Sequence, residues 1–311
     1  MVFAVVAPTT GRSFTAQVNT MAHRKHLITG ATGKTGKHVV QALLAAGESV
    51  RAFVHREDER SESLRAAGAE IFVGDLLEHE DVLRATDGVD TAYFCFPITP
   101  GLIQATAYVA NAAKRHGLEL VVNMSQISAR EDSQSHAARD HWLAERVLDN
   151  AGVPALHIRP TFFSEWLVFP WVRDRIVHEG AITLPYGEGT HAPIAGEDQA
   201  RFIAAALMNP QAHAGKIELL RGPVVLSQAQ IAEKIGAVLG REVAYRPESL
   251  EAYRASLEGY GLPALLIQHF LAIAIDYQNG VFTGTDGVIE RVTGEAPMTV
   301  ETFVAKHAAM F

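Results

Sequence analysis

HLITGATGKTGKH, residues 26–38, is the stretch of this sequence that decides the fold. A short apolar run precedes a turn that contains Gly30, Gly33 and Gly36, and an amphipathic segment follows at once. This order is typical of a strand, a glycine-rich turn and a helix. In a doubly wound sheet such a turn lets the backbone approach a pyrophosphate, to which the helix presents its free N–H groups. The spacing is G-x-x-G-x-x-G instead of the standard G-x-G-x-x-G, but its position between strand and helix predicts a dinucleotide site.

The composition describes an ordinary globular chain and excludes several classes of protein. Of 311 residues, 48% are hydrophobic and 20% are charged, and the formal net charge of −8 argues against direct nucleic-acid binding. No apolar run is long enough to span a membrane. The single cysteine, Cys95, allows no intrachain disulfide, so we expect a cytoplasmic protein. Scattered histidines without a cysteine pair predict no metal site.

Residues 1–24 differ from the rest of the chain. Their short apolar start lacks a preceding positive region, so a signal peptide is not expected. The segment that follows is rich in Thr, Ser, Gly and Asn. We therefore expect residues 1–24 to form a poorly ordered tail without a function.

From residue 25 to residue 160, predicted strands alternate with predicted helices. The strands fall at 27–28, 50–54, 70–73, 91–96, 118–123 and 155–158, and the helices at 39–44, 59–67, 79–85, 102–116 and 137–150. This alternation predicts an α/β fold, with a doubly wound, mostly parallel sheet and helices on both faces. In such sheets the ligand lies outside the carboxyl ends of the strands. The residues expected to bind the cofactor there are Gly30, Thr32, Gly33, Lys34, Thr35, Gly36, His55, Arg56, Asp75, Leu76, Phe96, Pro97, Met124 and Pro160.

The end of the second strand indicates which dinucleotide binds. NAD enzymes usually carry an acid there, whereas this chain has His55 and Arg56. A guanidinium fits a 2′-phosphate that a carboxylate would repel, so NADP(H) is favoured over NAD(H). Lys34 in the glycine turn could add a second positive contact. Glu57 and Asp58 follow directly, however, and Arg56 could instead be an exposed loop charge.

Residues 161–311 are predicted to complete the sheet and to form a small, mainly helical lobe. The predicted strands are 182–186, 192–194 and 216–220, and the predicted helices are 197–208, 228–239, 250–257, 263–279 and 299–309. Phe162, Phe163 and Trp166 follow the sixth strand directly. These aromatic side chains either wall a nicotinamide and substrate pocket or pack as ordinary core between lobe and sheet.

Several motifs together resemble the NmrA-like branch of atypical short-chain dehydrogenases. They are GATGKTG at 30–36, VHR at 54–56, GD at 74–75, FCFP at 94–97, RPTFF at 159–163 and the closing segment at 276–307. The resemblance implies an extended Rossmann domain that binds NADP(H), with a C-terminal lobe over the nicotinamide. Some relatives reduce quinones, azo dyes, triphenylmethane dyes or cyclic imines. Others have little turnover and act as redox-sensing regulators through protein partners.

The residues expected to be catalytic depart from the usual short-chain dehydrogenase pattern. Ser125 follows the fifth strand as expected, but His141 and Glu145 stand where a Tyr-x-x-x-Lys pair would lie. The i,i+4 spacing places both on one helix face, so Glu145 could orient His141 as a general acid near neutral pH. The alternative is a solvated surface pair. Hydride transfer to a quinone, dye or imine does not require this tyrosine, because the cofactor carries the hydride.

Two functions therefore remain open from the sequence. The first is an NADPH-dependent reductase of an aromatic or conjugated small molecule, with a pocket lined by Phe96, Ser125, His141, Phe162 and Phe163. The second is a catalytically silent NADP(H) sensor that reports redox state to a partner protein. We expect a monomer or a homodimer that does not associate with membranes.

Overall fold

A seven-stranded parallel sheet forms the centre of the fold. The computed structural model describes residues 23–311. The strands of this sheet are β1 Lys25–Ile28, β2 Ser49–Val54, β3 Glu70–Val73, β4 Thr91–Phe94, β5 Leu120–Met124, β6 Ala155–Pro160 and β9 Lys216–Leu220. Their order is β3-β2-β1-β4-β5-β6-β9, in which β1 lies between β2 and β4. Two short pairs lie outside it: β7 Ala181–Ile182 with β11 Ala244–Tyr245, and β8 Thr190–His191 with β10 Leu226–Ser227.

Twelve α-helices lie in the described part of the chain. They are α1 Gly36–Ala45, α2 Glu59–Ala66, α3 His79–Thr86, α4 Leu102–His116, α5 His136–Asn150, α6 Pro170–Glu179, α7 Gly196–Met208, α8 Gln228–Leu239, α9 Leu250–Gly259, α10 Ala264–Gln278, α11 Val288–Thr293 and α12 Val300–Lys306. One sheet face is covered by α1, α7 and α11, and the other by α3, α4 and α5. None of these helices is both long and apolar enough to cross a membrane.

The central strands are buried on both faces. Every residue of β4 and β5 is buried, because parallel strands with helices on both sides have no face toward water. This explains why Thr91–Phe94 and Leu120–Met124 lack the polar alternation of a surface strand. The predicted doubly wound α/β sheet is confirmed.

The C-terminal half contributes to the sheet layer as well as to a separate lobe. After residue 160, the chain returns to pair β9 with β6 in parallel and to pack α7 against α1. The remaining segments form a second apolar core around α6, α8, α9, α10 and α12. The helical C-terminal region that the sequence predicts is confirmed.

Some element boundaries differ from the predictions. The predicted strand at 182–186 is only Ala181–Ile182, and the one at 192–194 is displaced to Thr190–His191, with Ile194 in an isolated bridge to Phe163. Helices α6 and α11 were not predicted from the sequence. Pro170 occupies the first turn of α6, where its missing N–H costs nothing, so the proline begins a helix instead of ending one.

The predicted N-terminal tail, residues 1–24, lies almost wholly outside the described residues. Arg24, within the described part, is held in place. Its backbone N–H donates to a Glu48 carboxylate oxygen at 2.7 Å, and its guanidinium donates to the Met208 carbonyl at 3.1 Å. Arg24 is thus anchored to both of these segments, and the poorly ordered tail stays a prediction.

Candidate active site

The glycine turn lies at the carboxyl end of β1, where the strand order of the sheet reverses. Gly30 has a φ of 59°, and its carbonyl oxygen accepts the N–H of Gly33 at 2.9 Å. A Cβ at Gly36 would overlap that same carbonyl oxygen, so only glycine allows α1 to begin so close to the turn. Thr29 fixes the turn to the end of β4, because its hydroxyl and the backbone of Cys95 exchange two hydrogen bonds at 2.8 and 3.1 Å.

No side chain in the described part of the chain neutralises the N-terminus of α1, although the Lys37 and His38 N–H groups donate to backbone carbonyl oxygens at 3.3 and 3.0 Å. Thr35, at the N-cap, makes no side-chain cap hydrogen bond, and the first turn contains no acidic residue. The first N–H groups of a helix lack partners inside the helix and attract negative charge. A pyrophosphate therefore fits here, where three glycines keep side chains away from the backbone.

The end of β2 presents a cation while its neighbouring acids are engaged elsewhere. His55 and Arg56 are exposed. Asp58 caps α2 by accepting the Arg60 and Ser61 N–H groups, and its pKa falls to about 2, chiefly through the hydrogen bond from the Arg60 guanidinium. Glu57 is in an ion pair with Arg65. Both acids that could have accepted a hydrogen bond from a ribose hydroxyl are therefore paired with arginines of α2.

Two other predicted cofactor residues have contacts of their own. Asp75, after β3, accepts the N–H of Leu77 at 2.9 Å and so shapes the turn in which Leu76 is half-buried. The ammonium of Lys34 lies 4.1 Å from the centre of the Phe169 ring, and partial burial lowers its pKa. Lys34 thus links the glycine turn to the aromatic segment after β6.

A cavity of about 200 Å³ lies at the carboxyl ends of β4, β5 and β6. It is mostly apolar and aromatic, and its lining residues are Phe96, Ile98, Met124, Ser125, Gln126, His141, Pro160, Thr161, Phe162, Phe163, Trp166, His269, Ile273 and Phe282. The pocket lining predicted from the sequence is thus brought together. Pro97, which is exposed, lies just outside this lining.

Phe162 takes part in both the cavity wall and the core of the lobe. Its ring centre lies 4.3 Å from that of Trp166 and 4.4 Å from that of Phe282, both in edge-to-face geometry. It also contacts the stacked rings of Tyr186 and Tyr277. The aromatic segment therefore serves as pocket wall and as core at once. One side of the cluster packs against the core of the lobe, and the other side lines the cavity.

Ser125, Glu145 and Arg159 form a hydrogen-bonded network behind the cavity, in which Ser125 and Glu145 are buried and Arg159 is partly buried. The Ser125 hydroxyl donates to Glu145 Oε1 at 2.6 Å, and Arg159 donates to both carboxylate oxygens, at 2.8 and 2.5 Å. The Glu145 side chain is fully buried and is absent from the cavity lining. The carboxylate therefore neutralises Arg159 and orients Ser125.

His141 lies in the cavity wall without the predicted partner. Its Nδ1 is buried and has no hydrogen-bond partner among the described residues, so the predicted His141–Glu145 hydrogen bond does not form. The surface alternative is also wrong, because both side chains are buried. Burial lowers the pKa of His141 to about 4, although the charge of Glu145 opposes this shift. The imidazole is consequently neutral at pH 7 and is not a cationic acid there.

His269 is a lining residue that was not predicted from the sequence. It lies in α10, is 3% exposed, and its Nδ1 is 2.7 Å from the hydroxyl oxygen of Ser135. The only sequence signal was a histidine inside the apolar run 265–275, a pattern equally typical of a core helix. Its partner lies 134 positions away, so spacing could not reveal the contact.

The fold and the site define a Rossmann-type protein with a glycine-rich turn beside an aromatic cavity. Residues 23–303 match the model of the NmrA-like family, and the chain belongs to that family. It is 31% identical over 291 residues to the NAD(P)H azoreductase of Xenophilus azovorans, covering 92% of this chain and 98% of that protein.

Solved structures share the same fold over nearly the whole chain. The NADPH complex of the quinone oxidoreductase QOR2 from Escherichia coli superimposes with a TM-score of 0.81 at 23% identity, covering 91% of this chain and 99% of that one. The NADP(H) complex of the triphenylmethane reductase of Citrobacter sp. gives a TM-score of 0.79 at 24% identity, with coverages of 91% and 99%. At these identities the likeness establishes the fold.

Proposed function

We propose that this protein is an NADPH-dependent reductase that transfers hydride to an electron-poor aromatic molecule of the quinone or azo class. The observation that carries the proposal is the aromatic cavity at the ends of β4, β5 and β6, beside a glycine turn that accommodates a pyrophosphate. The azoreductase and quinone oxidoreductase names of relatives support this class of acceptor.

Different groups of the predicted cofactor residues would bind different parts of the dinucleotide. The glycine turn and the open start of α1 would hold the pyrophosphate, and Arg56 would hold the 2′-phosphate. Asp75 and Leu76 would border the adenosine half, while Phe96, Met124 and Pro160 would border the nicotinamide half, which the cavity adjoins. When bound, the reduced nicotinamide supplies two electrons and one proton as a hydride.

The protein side chains exclude water and orient the acceptor, with no cationic acid among them. Ser125 directs its proton to Glu145, and His141 is neutral at pH 7. These features favour an acceptor that needs no protein acid. For a quinone, the balance is one hydride from NADPH and one proton from water, which give a hydroquinone and NADP⁺.

Steady-state reduction of menadione by the full-length protein, followed as loss of NADPH absorbance, tests the proposal. We expect saturable turnover and, in Trp166→Ala, a KM for menadione raised severalfold with unchanged NADPH affinity. Trp171→Ala is the matched control, because Trp171 lies outside the cavity lining. Tight NADPH binding without reduction of any quinone or azo dye would overturn the reductase proposal and leave the redox-sensor alternative.

A redox sensor makes a separate prediction about affinity. A ligand that binds equally in its reduced and oxidised forms cannot signal which form is present. Calorimetric titration with NADPH and NADP⁺ therefore distinguishes the sensor, for which the two dissociation constants must differ.

We also propose that the reductase is cytoplasmic and is a monomer or a homodimer. Cell fractionation tests the location, and light scattering tests the oligomeric state.

A further inference from the structure

The tautomer of His269 is set by its contact with Ser135. The Ser135 hydroxyl oxygen already accepts the N–H of Ala138 at 3.1 Å, as the N-cap of α5. Its one proton is therefore available for His269 Nδ1, 2.7 Å away, and no other acceptor for it lies among the described residues. An imidazole whose Nδ1 accepts a hydrogen bond carries its proton on Nε2. His269 is thus a donor through Nε2.

The Nε2–H of His269 is left for a ligand. Within residues 23–311 this nitrogen has no hydrogen-bond partner, yet it is absent from the fully buried unpartnered atoms. The side chain as a whole is 3% exposed and lines the cavity. A polar group that is nearly buried and unpaired costs free energy unless a ligand satisfies it.

The cavity has no charged side chain in its lining, which consists of apolar residues, Ser, Thr, Gln and two histidines. Burial lowers the pKa of His141 to about 4 and that of His269 to about 3, so both are neutral at pH 7. The ion pair between Glu145 and Arg159 lies behind Ser125, and neither of its side chains lines the cavity. An anionic ligand would lose its hydration without meeting a cation, at a large cost in free energy.

We infer that the substrate is an uncharged aromatic carbonyl compound, such as a quinone, and that His269 holds its oxygen through the Nε2–H donor. The inference rests on the proposed function and narrows its substrate class. As hydride adds to the quinone, one oxygen gains a negative charge and the hydrogen bond from His269 strengthens. The oxygen then takes a proton from water to complete the hydroquinone, while His269 keeps its own proton throughout.

Two substitutions at His269 test the hydrogen bond. Leucine removes the N–H, whereas glutamine retains an N–H donor at a similar distance from the backbone. We expect His269→Leu to lower kcat/KM for menadione at least about tenfold, and His269→Gln to stay within about threefold of the wild type. NADPH affinity, measured by calorimetry, is expected to be unchanged in both.

His213→Leu is the matched control, because His213 is a buried histidine outside the cavity. It is expected to keep wild-type kinetics. If the wild type reduces menadione and His269→Leu does so equally well, the assignment of His269 fails while the proposed function stands. If the wild type reduces azo dyes but no quinone, the inference of a carbonyl substrate fails while the proposed function stands. If it reduces neither class, the proposed function itself fails.

A substrate pair tests the charge preference without any variant. We expect kcat/KM for 1,2-naphthoquinone-4-sulfonate to be more than tenfold lower than for the parent 1,2-naphthoquinone. The sulfonate withdraws electrons, which by itself favours hydride addition. A lower kcat/KM would therefore result from the cost of placing its negative charge in the cavity. A 4-substituted derivative of similar size without charge controls for steric effects. Equal or faster reduction of the sulfonate would overturn the uncharged class.

Discussion

Glu145 carries a fully buried carboxylate that Arg159 and Ser125 satisfy. Removing one partner of a buried ion pair leaves the other charge uncompensated, at a cost of about 3–5 kcal/mol. We therefore expect Glu145→Gln to lower the free energy of unfolding by about 3 kcal/mol, as measured by urea denaturation.

The matched control for this substitution is Glu119→Gln. Glu119 pairs with Arg24 at the surface, where both side chains are at least 30% exposed. Surface pairs contribute about 1 kcal/mol or less. Equal losses in the two variants would contradict a structural role for the Glu145–Arg159 pair.

Arg56 is the residue on which the dinucleotide preference depends. We expect Arg56→Ala to weaken NADPH binding at least about tenfold, because a charge-assisted hydrogen bond to the 2′-phosphate is lost. NADH has no such phosphate, so its affinity should not change. Calorimetry on both ligands measures the difference, and Arg254→Ala, at an exposed arginine of α9, is the control. An equal loss for both dinucleotides would contradict the assignment.

Helix α10 is held against the loop that follows β5 by several polar contacts. Arg130 donates to both carboxylate oxygens of Asp276, at 2.8 and 2.6 Å. Gln268 donates to the Gln134 carbonyl at 2.8 Å, and Ser135 contacts His269. Because α10 supplies two of the lining residues, these contacts set the position of one cavity wall relative to the sheet.

We expect Asp276→Asn to weaken the attachment of α10 to the loop at residues 126–135. The substitution keeps the size of the side chain but removes the charge that holds Arg130. We expect faster amide hydrogen exchange across residues 126–135 and a severalfold higher KM for menadione, with NADPH affinity unchanged. Glu295→Gln, which weakens the surface pair with Arg201, is the control. Unchanged exchange in this loop would show that the ion pair does not fasten α10.

Elements differ in how far the sequence predicts them. Helices α4 and α8 match their predicted bounds, and α8 begins with a capping box between Ser227 and Gln230 and ends at Gly240. The predicted bounds of the short strands β7 and β8 were wrong, because two residues are too few to show the alternation of polar and apolar side chains that indicates a strand. The position of each depends on its partner strand, which in both pairs comes from a distant part of the chain.

Buried neutral histidines make the stability of the folded protein depend on pH. Burial lowers the pKa of His141 to about 4 and those of His191 and His269 to about 3, from an ordinary value of 6.5. As pH falls below 6.5, the unfolded chain takes up protons that the folded chain does not, so stability decreases. We expect a loss of about 2 kcal/mol per histidine at pH 5 relative to pH 7.5, measured by urea denaturation.

His191→Asn is the informative variant for this pH dependence. Asparagine retains an acceptor near the position of Nδ1, which contacts the Tyr277 hydroxyl at 2.7 Å, but it does not titrate. The variant is expected to show a smaller loss of stability between pH 7.5 and pH 5 than the wild type. Identical losses would mean that His191 does not contribute to the pH dependence.

The features that could be predicted from the sequence are those that depend on neighbouring residues. The strand, turn and helix at 26–38 follow from three glycines and an apolar run, and each helix cap involves residues a few positions apart. The pairing of Glu145 with Arg159 instead of His141, and the position of His269 in the cavity lining, depend on how distant segments pack together. The contacts that fix α10 join residues 134 to 146 positions apart, and no local pattern in a single sequence encodes such a pairing. The aromatic cavity is likewise formed only when β4, β5, β6 and α10 pack together, because its walls come from both halves of the chain.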